Sequence, residues 1–116
     1  MKLLYLASPY SHPSAAVREF RYQCNLRAAA KLMQRGYAVF SPIAHSHPIE
    51  AHLDPTHPDA RHDFWMCQDL LILARCEEVC VLKITGWRES AGVKCETELA
   101  DELRISVFFI EPDFIF

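Results

Sequence analysis

The sequence predicts a single α/β domain over residues 1–116, with a mainly parallel sheet of four to five strands flanked by helices. Three observations lead there. A chain of 116 residues has room for one hydrophobic core. Four short apolar runs alternate with segments of helical period, the order expected of a parallel sheet with right-handed crossovers. Most of the runs stop at a proline or glycine, which punctuates strand ends.

The first run, "KLLYLA" at 2–7, ends at Ser8-Pro9 and suits a buried strand. Ser14 is a plausible N-cap for a long amphipathic helix running to Gly36, with Val17, Phe20, Cys24, Leu26, Ala28, Leu32 and Met33 as its apolar positions. "YAVFSP" at 37–42 reads as the second strand. The stretch after it, "IAHSHPIEAHLDPTHPDA", holds three prolines and four histidines without a clear period and reads as a long loop. Residues 61–75 have helical length and are apolar nearly all round, which predicts burial on more than one side, part of it against another subunit. "EEVCVLKI" at 77–84 gives a third strand, Gly86 breaks the chain, a helix follows, and "ISVFFIEP" at 105–112 gives a fourth strand. The architecture is Rossmann-like, in the flavodoxin-like variety, and ligands of such sheets bind beyond the carboxyl ends of the strands.

Composition narrows the ligand. A net charge of −3 without any run of Lys or Arg argues against a nucleic-acid polymer or an anionic membrane and favours a small molecule. Pro9 interrupts the N-terminal apolar run too early for a signal peptide, so a cytoplasmic protein is expected. Five cysteines, Cys24, Cys67, Cys76, Cys80 and Cys95, lack CxxC spacing and read as reduced core residues. With only three glycines, neither GxGxxG nor a Walker sequence is present, and a GxSxG elbow is missing too.

Two carboxylates stand out. In "ESAGVKCETELADELR" (89–104), a 3.6-residue step from Gly92 gathers Cys95, Glu96, Leu99, Ala100 and Leu103 on one stripe, so Glu96 lies among apolar neighbours. In the preceding helix the stripe His62, Trp65, Met66, Asp69, Ile72, Leu73 and Cys76 again contains one acid, Asp69. A buried carboxylate is costly unless paired, and perturbed acids concentrate at working sites. Each alone reads more simply as a loop cap or an arginine partner. Two aimed at one sheet edge suggest divided labour, one carboxylate ionised and one protonated, as in breaking a glycosidic bond.

"YLASPYS", "QDLLILARCEEVCVLK" and "SAGVKCETELA" resemble, in order, three signatures of the nucleoside 2-deoxyribosyltransferase superfamily and its deoxynucleoside-monophosphate N-glycosidases, most of all a small bacterial and phage branch. The resemblance spans most of the chain. It implies Glu96 as nucleophile, Asp69 assisting the departing base or holding the sugar, and Tyr5 orienting the glutamate. It puts Ser90 at a position acidic in transferases and often serine in the monophosphate hydrolases. It also implies a homodimer or higher homo-oligomer, no cofactor, and a nucleoside or nucleotide as the partner.

Around these three residues, the expected substrate-binding set is Ser8, Pro9, His45, Trp87, Arg88, Ser90 and Gly92. Ser90 and Gly92 open the final helix, where a 5'-phosphate finds an anion site, with Arg88 or Lys94 adding charge and Arg18 or Arg21 as alternatives. Trp87 is the candidate for stacking on a base, and Trp65 reads as core. His45 or His47 is expected to contact substrate or orient a carboxylate. The spacing of His45, His47, His52, His57 and His62 fits no zinc pattern, and no metal is expected. Val93-Lys94 and Glu98 depart from what transferases favour. The rival reading is a non-catalytic nucleotide-binding or sensing module, and a weaker third is an interaction domain using the 64–74 helix.

Overall fold

The computed structural model describes residues 1–56 and 61–116, with the side chains of residues 61 and 62 left out. Its strands are β1 (Leu3–Ala7), β2 (Ala38–Phe40), β3 (Glu78–Leu82) and β4 (Ser106–Ile110). The helices are α1 (Ala15–Gln34), α2 (Pro42–Glu50), α3 (Arg61–Leu73) and α4 (Ala91–Glu102), followed by a 3-10 turn at Pro112–Phe114. All four strands are parallel, in the order β2-β1-β3-β4. The α/β expectation therefore holds, at the lower strand number.

Parallel strands covered on both faces must be apolar throughout, and the two central ones are. Leu4, Tyr5, Leu6, Ala7, Val79, Cys80, Val81 and Leu82 are all fully buried. Their side chains alternate between two cores. Leu4, Leu6, Cys80 and Leu82 pack with Cys24, Ala28, Ala29 and Leu32 of α1, closed by Ile84 and Ile115. Tyr5, Ala7, Val79 and Val81 pack with Leu73 and Cys76 at the end of α3 and with Val93 and Ala100 of α4.

Helix α1 starts where expected. Ser14 is extended and its hydroxyl accepts from the Val17 amide at 3.3 Å. It ends at Gly36, whose φ of +102° reverses the chain into β2. Its buried face differs from the apolar pattern: Cys24, Asn25, Ala28, Ala29 and Leu32 are buried, while Phe20 and Met33 are exposed. Small residues let the helix lie close on the sheet, and the larger ones fall outside that contact.

The largest correction is α2, which occupies the first half of the expected long loop. Ser41 and Pro42 explain it. The Ser41 hydroxyl accepts from the Ala44 amide at 3.0 Å, and Pro42 stands in the first turn, where its missing N–H costs nothing. Pro48 lies inside the helix and forfeits one backbone bond, which nine residues tolerate near a helix end. His57 and the side chain of His62 lie outside the described residues.

One stripe needs rotating. On α4 the buried residues are Val93, Glu96 and Ala100, so Cys95 and Leu103 face solvent. On α3 the stripe holds, with Asp69 and Leu73 buried and Trp65, Met66 and Ile72 half-buried, while the exposed Cys67 and Leu71 show that the helix is not buried nearly all round. Cys67 and Cys95 thus correct the expectation of five core cysteines. All five are free thiols.

Candidate active site

The carboxyl ends of the strands open into a cavity of about 540 Å³. Ser8 at the end of β1, Met66 and Asp69 of α3, and Ser90, Gly92 and Glu96 of α4 contribute to its lining. Glu96 and Asp69 are only 5% and 7% exposed, which makes them the buried acids of the molecule among the described residues.

Beneath them, the Tyr5 hydroxyl donates to Glu96 Oε2. Tyr5 is on a central strand and has no exposed surface, so this bond ties the sheet to α4 inside the core. Asp69 Oδ1 and Trp65 Nε1 are buried and find no hydrogen-bond partner among the described residues. Desolvation here favours neutral forms. Burial pushes the Glu96 carboxyl up to about 8, the Tyr5 hydrogen bond pulls it down, and the Asp69 charge raises it further. Burial alone pushes Asp69 up to about 6. Burial and the two carboxylates also raise the Tyr5 phenol far above its ordinary range, so it remains a donor. Near neutral pH the two carboxyl groups hold roughly one proton between them as a pair.

A buried network fixes the rim. Asn25 of α1 donates to Ser8 Oγ at 2.8 Å and accepts from the Ser41 hydroxyl. One amide therefore links the ends of β1 and β2, while Ser41 still caps α2. Arg21 closes the other side by donating to the carbonyls of Ser11 at 2.9 Å and Thr85 at 3.3 Å. Its guanidinium lies over Gly86, where an added Cβ would meet Arg21 Nη2 at 2.4 Å. At the start of α4, the Ser90 hydroxyl accepts from the Val93 amide at 3.2 Å.

A family model matches residues 2–112, nearly the whole chain. The chain belongs to the family described as a domain of unknown function, DUF1937. No curated protein matches it.

In this DUF1937 domain the structure brings Tyr5, Ser8, Asp69, Ser90, Gly92 and Glu96 to one place. Pro9 is fully buried and, like three other expected contacts, is absent from the described lining. Trp87 packs against Phe109, with ring centroids 5.6 Å apart, and the Arg88 guanidinium lies over the Trp87 ring. His45 is directed at the rings of Phe40 and Trp65. Trp65, read as core, lines the cavity instead. Tyr10, Ser11, His12, Ser46, Glu50 and Glu89 join the lining without having been singled out. Polar residues just after a strand end were the available signal for Tyr10, Ser11 and His12. Ser46 and Glu50 were hidden because α2 was read as a loop.

The described residues contain no group of three or more His, Cys, Asp or Glu placed to hold a metal ion. Among them no helix is long and apolar enough to cross a membrane.

Proposed function

We propose that the domain cleaves or transfers at the N-glycosidic bond of a nucleoside or nucleoside 5'-monophosphate. The observation that supports this is the pair of buried carboxyl groups facing one cavity, with Glu96 held by the Tyr5 hydroxyl. In the productive state the shared proton lies on Asp69 and Glu96 is the anion. Positive charge developing at the sugar C1' favours that arrangement. Glu96 attacks or stabilises C1', Asp69 gives its proton to the departing base, and the bond to the base breaks. Water, or a second base, then takes the sugar and returns a proton to Asp69.

A 5'-phosphate would meet the start of α4 at Ser90. Arg21 is the nearer source of charge, since it lines the cavity and the residues matching the other expected cations do not. The reading includes a homo-oligomer, for which the 67% exposed Leu71 on α3 offers apolar surface.

One feature favours the rival, a nucleotide sensor of the same fold: burial raises the proton affinity of Glu96, which suits binding better than attack. Chromatographic product analysis decides between them. Wild type and Glu96→Gln are incubated with ribo- and deoxyribonucleosides and their 5'-monophosphates, with and without a second free base. Free base released by wild type alone supports the enzyme, and exchange onto the added base makes it a transferase. Binding without turnover supports the sensor.

A further inference from the structure

We propose that Tyr10 is a specificity-determining residue of the cavity, presenting its phenolic oxygen as an acceptor to a hydrogen-bond donor on the ligand, with His47 and Glu19 fixing that sense. The ligand assignment rests on the nucleoside reading; the hydrogen-bond geometry stands without it.

Tyr10 lies in the loop after β1 and lines the cavity. Its hydroxyl is 2.6 Å from Nδ1 of His47, on α2. The other nitrogen of His47, Nε2, is 3.2 Å from Glu19 Oε2, on α1. The imidazole is stacked on Tyr22, with centroids 3.9 Å apart and planes 17° apart, so its orientation is set from a third side. Both ring nitrogens are thus engaged, on partners of different character.

An ionised carboxylate can only accept, so Nε2 carries the hydrogen. In the neutral ring Nδ1 is then a bare lone pair, and Tyr10 must donate to it. A phenol has one proton. With that proton committed to His47, the Tyr10 oxygen keeps only lone pairs for a ligand and selects a group bearing hydrogen. Burial, then the nearby Glu50, raises the Tyr10 phenol, so it stays protonated and able to play this part. The charged and polar groups facing this pair are Arg18, Glu19 and Tyr22 of α1 and Glu50 of α2.

In a 2'-deoxynucleoside the donor is the 3'-hydroxyl or the exocyclic amino group, and three probes separate them: 2'-deoxyadenosine, 2',3'-dideoxyadenosine and purine 2'-deoxyriboside. The first measurement is imidazole 15N NMR of the neutral His47 ring in the free protein. The expected result is an Nε2–H tautomer, an Nδ1 resonance that moves in Tyr10→Phe, and a mixed tautomer in Glu19→Gln. An Nδ1–H tautomer in wild type overturns the proposal. The second is calorimetric titration with the three probes. Wild type is expected to lose about 3- to 10-fold in affinity for the one probe lacking the donor, the span of one neutral hydrogen bond, and Tyr10→Phe to lose that discrimination. Equal binding of all three by wild type, or discrimination retained in Tyr10→Phe, overturns it. Failure of wild type to bind any probe overturns the nucleoside reading and the ligand assignment with it, and the NMR result still decides the tautomer.

Discussion

Tyr5 and Glu96 are 91 positions apart in sequence and share a buried hydrogen bond, with the phenol on the central strand β1 donating to a carboxyl on α4. The bond is the one contribution lowering the proton affinity of Glu96 against burial and the Asp69 charge. Removing it in Tyr5→Phe leaves a buried carboxyl without its donor. A loss of about 1–3 kcal/mol in unfolding free energy is expected by urea titration. Under the proposed function, the pH above which activity falls moves upward.

Stability should decline as pH rises. Both acids bind protons more tightly folded than unfolded, from 3.8 to about 6 for Asp69 and from 4.5 to about 8 for Glu96. The stabilisation is complete below about pH 4 and is lost as pH passes through 6 and then 8. Urea midpoints at pH 5 and pH 8.5 check this, with the acid and base effects of other groups cancelled by comparison with Asp69→Asn and Glu96→Gln. Each variant should lose less stability over that interval than wild type, Asp69→Asn by about 1 kcal/mol, because a folded value of about 6 leaves only about one pH unit of linkage above pH 5 and solvent on its cavity side reduces it further.

If catalysis needs one proton in the pair, the rate has a bell-shaped dependence on pH, with limbs near 6 and 8. Asp69→Asn should remove one limb and slow turnover by about 10²-fold or more, the scale of a lost general acid. Initial rates across pH 5–9 provide the check.

Gly86→Ala and Gly36→Ala separate backbone strain from a steric clash. Both positions have positive φ, +98° and +102°, but nothing lies within 4 Å of a Cβ at Gly36. Gly36→Ala should cost about 1–2 kcal/mol from conformation alone. Gly86→Ala should cost more, because it also displaces Arg21 from Ser11 and Thr85. The excess should shrink in the Arg21→Ala background, as read from thermal or urea unfolding.

Asn25→Ala breaks the bonds to both Ser8 and Ser41, each of which is buried. About 2–4 kcal/mol of stability should be lost. Asn25→Asp keeps the acceptor for Ser41 but puts a charge in the core, and calorimetric melting should show it no better than alanine.

The sheet was legible because β1 and β3 are buried on both faces and leave unbroken apolar runs. The acids were legible for a related reason: Glu96 and Asp69 each interrupt an apolar stripe. The same periodicity misplaced Cys95 and Leu103, since 3.6-residue stepping fixes a stripe's spacing but not its centre. Val93 shows where the centre lies. Helix α2 was obscured by Pro48 and its histidines, although Ser41-Pro42 is a start signal of the ordinary kind. Trp87 misled because an aromatic in a loop beside Ser90 suggests stacking, whereas Phe109 of β4 offers it a partner that only the sheet order reveals. Tyr10, His47 and Glu19 meet from three separate segments, and no local pattern announces such a meeting.

Strand β4 forms one edge of the sheet and pairs with β3 along Ser106–Ile110, a stretch "SVFFI" without charge, proline or glycine. Its outer row of amides and carbonyls is a template on which another extended chain can add, and Phe109 is half exposed beside it. What limits the growth of such pairing is placed at the ends: Arg104, with φ of +58°, bends the chain before the strand, and Glu111-Pro112 terminates it. These three residues therefore bound the sheet's open edge, at a border remote from the buried acids.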